Sequence, residues 1–230
     1  MTNDPTLILV IIAAIPVALA AFARKSLMSR YSRACQFPSA LTGAAAARAI
    51  LDSAGLQSVA IERIPGELSD HYDPRAKVLR LSENSYNGRN LAAVGVAAHE
   101  AGHALQDAQH YRPMIVRQAA FPLASFGSNS AMLFMALGAG ANIKPLLIAG
   151  VACFACVAFL QIINLPVEYN ASARAKRQLE SLGFVQGEDL SVVKTMLGAA
   201  ALTYVAAMLQ TVVQLLYLAV RAMGASNKRR

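Results

Sequence analysis

The chain has 230 residues, of which 56% are hydrophobic and only 15% charged, too apolar a balance for a soluble fold of that size. Its formal net charge of +8 lies on the flanks of apolar stretches, with no basic stripe interleaved with aromatics. That excludes nucleic acid as a partner and fits anionic lipid. Cys35, Cys153 and Cys156 make no disulfide framework, and the Cys153/Cys156 pair sits inside an uncharged run, where it reads as small packing residues.

In chain order, residues 5–23 form the first uncharged stretch long enough to cross a bilayer as a helix. Asp4 precedes it, and Arg24, Lys25, Arg30 and Arg33 follow it. This is the reverse of a secretory signal and predicts an anchor whose following residues stay inside the cell. Residues 24–117 are the polar region able to fold outside the membrane. Within it, 42–54 predicts a helix with Thr42 as N-cap and Gly55 as terminator. Short strands are predicted at 58–64 and 77–82, between turn residues around Pro65-Gly66 and Asp73-Pro74. An alanine-rich helix is predicted at 90–108.

Further spans are predicted at 118–143 and 145–167, separated only by the neighbourhood of Lys144 and Pro145 and hence forming a tight hairpin. The polar segment 168–194 must then return to the membrane side from which residue 117 departs. It opens as a helix over 168–182, stopped by Gly183, and a second helix near Glu188 and Asp189 runs into the last span, 195–220. The expectation is a mainly α membrane protein with about four transmembrane helices and a small α+β region. The order in that region is helix, two strands, helix.

The chemistry concentrates on the second of those helices. His99-Glu100-Ala101-Gly102-His103 sets two imidazoles four residues apart, one turn of one helical face, the spacing at which they share a tetrahedral zinc. Glu100 is one position round the helix. Zinc lowers the pKa of water to about 7, and a carboxylate beside it can take the proton as the water attacks a peptide carbonyl. A helix surface that merely carries polar groups is a poor alternative, because the flanks 91–98 and Ala104-Leu105 are almost wholly apolar and a buried polar cluster is costly without a partner.

A catalytic zinc also needs a third protein ligand and one open position. Glu168 leads the candidates, since the hairpin returns it to the side of the histidine helix; its bland reading is a carboxylate at a helix N-terminus, favoured by the dipole. His110 is too near in sequence to reach back over its own helix. His71, beside Asp70, Tyr72 and Asp73, is either a turn histidine or a contact to substrate or oxyanion. Asn170-Ala171-Ser172 matches a glycosylation acceptor only by coincidence.

Several stretches together are specific: Leu41-Thr42-Gly43, Asp70-His71-Tyr72-Asp73-Pro74-Arg75, Leu81-Ser82, Ala97-Ala98-His99-Glu100-Ala101-Gly102-His103-Ala104, Phe126-Gly127-Ser128-Asn129, Leu165-Pro166-Val167-Glu168-Tyr169-Asn170-Ala171-Ser172 and Ala200-Ala201-Leu202-Thr203-Tyr204-Val205-Ala206-Ala207. Through them the chain resembles, over almost its full length, the YugP-type neutral zinc metallopeptidases, bacterial membrane proteins of about this size. It is more weakly similar to HtpX-type and CAAX-prenyl membrane proteases, whose glutamate ligand lies in an EYxAD-like helix. Glu168-Tyr169-Asn170-Ala171 fits that pattern, with Ser172 in place of its aspartate, which leaves the group orienting the histidines unassigned. The resemblance implies a gluzincin-like catalytic region in which a strand edge above the histidine helix holds extended substrate by backbone pairing. It assigns that edge to 77–82, with Lys77, Val78, Leu79, Arg80 and Leu81 as substrate contacts.

The sequence thus predicts a multi-pass protein of the inner (plasma) membrane: a Zn2+-dependent endopeptidase acting on peptides or membrane proteins. Its ligands are His99, His103 and Glu168, its base is Glu100, and its site faces the cytoplasm. The rival expectation is a non-enzymatic membrane scaffold or assembly factor that keeps a structural zinc, which would prefer four closed protein ligands.

Overall fold

A computed structural model describes the backbone of residues 5–227 and the side chains of residues 14–220. The elements are α1 Pro5–Cys35, α2 Gly43–Ser53, β1 Ala60–Ile64, β2 His71–Asp73, β3 Val78–Ser82, α3 Glu83–Asn87, α4 Leu91–Ala108, α5 Arg112–Gly140, α6 Lys144–Ser181 and α7 Gly187–Asn227. The protein is mainly helical, with one small sheet. It divides into two compact units: Met1–Phe22, Ile115–Leu165 and Thr203–Arg230 form one, and Ala23–Met114 with Pro166–Leu202 form the other.

In the first unit, α5 and α6 are joined through Asn142 in the left-handed region at φ 60°, a conformation asparagine tolerates better than most side chains. Pro145 sits in the first turn of α6, where its missing N–H costs nothing. Large apolar side chains such as Phe121, Phe126, Met132, Leu133 and Phe159 stay exposed on these helices. Among the described residues, three helices are long and apolar enough to cross a membrane: Arg112–Gly140, Lys144–Ser181 and Gly187–Val220. The expected first span, 5–23, is helical as part of α1, and the side chains of 5–13 within it lie outside the described set. The helix expected at 168–182 is instead the continuation of α6, which runs without interruption through Pro166.

The second unit is built around α4. Asn90 caps it, its Oδ1 accepting the Ala93 N–H at 2.9 Å, and Thr42 caps α2 by accepting from Ala45 at 3.1 Å. The apolar edge of α2, Ile50 and Leu51, is buried with Leu79 and Leu81 of β3 and with Leu91, Val94, Ala97 and Ala98 of α4. Small residues let the helices approach closely. A methyl group on Gly43 would stand 2.1 Å from the Ser85 carbonyl oxygen and 2.7 Å from that of Ala93.

The sheet order is β1-β3-β2, with β1 parallel and β2 antiparallel to β3. This corrects the expectation that 77–82 is a free edge. Val78, Leu79 and Arg80 pair on one side with Ala60, Ile61 and Glu62 and on the other with Asp73, Tyr72 and His71. Their backbone groups are spent within the sheet. Leu79 and Leu81 point into the core, Arg80 reaches Asp73 at 2.8 Å and Glu62 at 3.3 Å, and Lys77 pairs with Asp107. The turn-like run 70–74 contains the extra strand β2, and the sheet's outer edges belong to β1 and β2.

Because nothing at Ser85 or Ala93 but backbone faces Gly43, Gly43→Ala is expected to destabilise the second unit by about 1–3 kcal/mol. A fall in the Tm of the detergent-solubilised protein reads this out.

Candidate metal centre

The face of α4 that meets α6 carries His99, Gly102, His103 and Gln106, the i, i+3, i+4, i+7 spacing of one helical stripe. Gly102 sets the depth of the contact, since a methyl group there would lie 2.6 Å from the carbonyl oxygen of Ala171 on α6. At this approach Glu168 faces both imidazoles. Its Oε2 stands 3.2 Å from His99 Nε2 and 3.6 Å from His103 Nε2, and the two rings meet edge-on at a centroid distance of 4.9 Å.

One donor atom from each of His99, His103 and Glu168 lies within 4.8 Å of the others, and no other such three-donor group occurs among the described residues. A tetrahedral zinc with bonds of about 2.0–2.1 Å separates its ligand atoms by about 3.4 Å, close to the two distances from Glu168. His103 and Glu168 are both buried. Two nitrogens and a carboxylate oxygen directed at one point are a donor set that zinc suits.

The outward ring nitrogens have partners as well. His99 Nδ1 lies 3.1 Å from Ser172 Oγ, and His103 Nδ1 lies 2.9 Å from Gln106 Oε1. Ser172, at the position of the aspartate in the related pattern, therefore does contact His99. Gln106 escaped the sequence reading, although its spacing of three from His103 on an apolar helix was the available signal.

Glu100 points to a different neighbour. It is buried, and its Oε2 accepts the backbone N–H of Tyr72 on β2 at 3.1 Å. Burial chiefly, with the Glu168 charge as a lesser cause and His99 opposing, pushes the Glu100 carboxyl up to about 7. Tyr72 is held by its phenol, which donates to Asp107 Oδ2 at 2.8 Å. Burial and this hydrogen bond keep the phenol well above its ordinary range. Glu100 and Asp107 are two helical turns apart on one face of α4, so Tyr72 clamps the strand to the helix at both points. Neither Tyr72 nor Asp107 was predicted.

His71 is not brought to this cluster. It is exposed, its Nδ1 lies 2.8 Å from the Ser69 carbonyl oxygen, and alternation along β2 puts it on the sheet face opposite Tyr72. Lys77 approaches only through Asp107, and Val78 to Leu81 serve the sheet and core.

Three possible metal donors thus converge between α4 and α6, in a mainly helical chain with three helices long and apolar enough to cross a membrane among its described residues. The chain belongs to the family described as "Putative neutral zinc metallopeptidase", which matches residues 6–223. It is 44% identical over 197 residues to the "Putative membrane protease YugP" of Bacillus subtilis (strain 168), covering 86% of this chain and 87% of that protein. No solved structure matches it significantly. The family is one of zinc peptidases, and His99, His103 and Glu168 form a possible site for that metal.

Gly102→Ala is expected to push α6 from α4 and part Glu168 from the histidines. Zinc retained per chain after gel filtration should fall well below that of the wild type, with helical content by circular dichroism unchanged.

Proposed function

We propose that the protein is an integral membrane zinc endopeptidase that hydrolyses peptide bonds at the membrane surface, with His99, His103 and Glu168 as zinc ligands and Glu100 as general base. The observation that carries this reading is a buried carboxylate, Glu100, adjoining a cluster of two histidines and a glutamate on the same helix pair.

When bound, zinc supplies a Lewis acid that polarises a carbonyl and acidifies water. The chain's own residues do the rest. Glu168 and the two imidazoles form the negatively charged, nitrogen-rich pocket that retains the cation. Glu100, fixed through Oε2 by the Tyr72 N–H, keeps Oε1 to receive a proton from attacking water and return it to the leaving nitrogen. Burial raises the proton affinity of this carboxyl, which favours its taking a proton from water. Three protein donors rather than four leave a position for water and substrate, which supports an enzyme over a structural zinc.

Glu100→Gln is expected to retain stoichiometric zinc while its rate of proteolysis on an unfolded model protein drops by about 10²–10⁴-fold. Equal proteolysis by both forms sinks the assigned base. Substrates trapped on the zinc-loaded variant then identify the peptide or membrane-protein targets.

The reading places the protein in the plasma membrane as a multi-pass chain with the site on the cytoplasmic side, supported by Arg24, Lys25, Arg30 and Arg33 after the first apolar stretch. Asn87 is exposed in the same unit as the metal cluster. In a cysteine-free background, Asn87→Cys is therefore expected to react with a membrane-impermeant thiol reagent only after cells are permeabilised. Labelling of intact cells reverses the orientation.

A further inference from the structure

Gln106 is fully buried on the stripe of α4 that faces α6, and its amide makes three hydrogen bonds. Nε2 lies 2.8 Å from the Val167 carbonyl oxygen and 3.0 Å from Asn170 Oδ1, while Oε1 lies 2.9 Å from His103 Nδ1. A backbone carbonyl can only accept, so the amide nitrogen must face Val167. Asn170 Oδ1 is likewise an acceptor, because it also takes the Arg174 Nε–H at 2.7 Å. Both N–H groups of Gln106 are thereby committed, and its oxygen is what meets the imidazole.

An amide oxygen also only accepts. His103 must therefore carry its proton on Nδ1, which leaves the lone pair on Nε2, the atom directed at Glu168. The same amide grips the other ligand's backbone, since Val167 immediately precedes Glu168. His99 is held less selectively: its Nδ1 partner is the Ser172 hydroxyl, which can donate or accept and so chooses no tautomer.

We propose that Gln106 is a positioning residue of the metal centre, holding His103 in the Nδ1-protonated tautomer and anchoring Val167 so that His103 Nε2 and Glu168 reach one zinc. This rests on the zinc-site reading above. It follows that the amide's two ends act together, and a side chain that supplies only the acceptor restores only the histidine's part.

The test measures zinc affinity of the full-length protein in detergent, by competition with a chromogenic chelator, for the wild type, Gln106→Met and Gln106→Glu. Gln106→Met keeps the side-chain length and removes all three hydrogen bonds. It is expected to bind zinc about 10- to 100-fold more weakly and to change the visible spectrum of the cobalt-substituted protein. Gln106→Glu, which keeps an oxygen for the Nδ1–H, is expected to recover part of the affinity and move the cobalt spectrum back towards the wild type. Wild-type affinity and spectrum in Gln106→Met, or a Gln106→Glu form as weak as Gln106→Met, overturn the inference. A wild type that takes up no zinc overturns the site reading instead. Nitrogen NMR of the isotope-labelled, zinc-loaded wild type needs no variant to fold: His103 is expected to show metal at Nε2 and a proton at Nδ1, and metal at Nδ1 overturns the assignment.

Discussion

The approach of α4 to α6 at Gly102 is the constraint from which the geometry of the site follows. Helices normally pack 8–10 Å apart, and a side chain between them would hold the imidazoles of His99 and His103 away from the carboxylate of Glu168. With only a hydrogen on Gly102, the backbone carbonyl of Ala171 occupies the space a methyl group would need, and the three donors converge. Ala98, one turn from Gly102 on the same face of α4, and Ala171 and Ala175 of α6 are small and buried as well. The composition of α4 is thus a packing requirement of the metal cluster as well as a helix-forming one.

A second face of the same helix performs a separate task. Glu100 and Asp107, seven residues apart, both meet Tyr72, the one through a backbone N–H and the other through the phenol. The Tyr72 N–H fixes one oxygen of the buried Glu100 carboxylate at the strand. The strand therefore separates the two acidic groups: Glu168 belongs to the imidazoles and Glu100 to the edge of the sheet. Lys77, paired with Asp107, offsets the charge at the outer end of that clamp.

Much of this was legible in the sequence because it depends on spacing along one element. The four-residue interval of His99 and His103 required only a helix, and the caps at Thr42 and Asn90 required only local hydrogen bonding. Glu168 was reachable through topology, since a hairpin of two spans has to return the chain. The strand order was not legible: alternation in 77–82 gives a half-buried strand but carries no information on how many neighbours pair with it, and β2 is three residues long in a run of turn formers. Residues 168–182 were read as a new helix because charge begins there, yet a helix need not end where its environment changes. Gln106 and Tyr72 were hidden for a different reason. Their roles come from atoms on other elements, Val167, Asn170 and Glu100, and a polar side chain on an apolar helix does not announce its partner.

The start of the Glu168 segment shows how such partners are weighted. Pro166 and Val167 present their carbonyl oxygens to side chains from outside α6: Tyr111 Oη donates to Pro166 at 3.4 Å in an exposed position, and Gln106 Nε2 donates to Val167 at 2.8 Å in a buried one. The longer, solvent-exposed bond competes with water and contributes little, whereas an unsatisfied buried amide costs roughly 1–3 kcal/mol. Register between α4 and α6 is therefore held by Gln106 far more than by Tyr111. Since Gln106 spends its remaining acceptor on His103, any shift of α6 along α4 that broke the Val167 bond would also disturb the His103 imidazole. The carboxylate and the histidine are in this sense fixed by one amide, and Gly102 sets their depth while Gln106 sets their register.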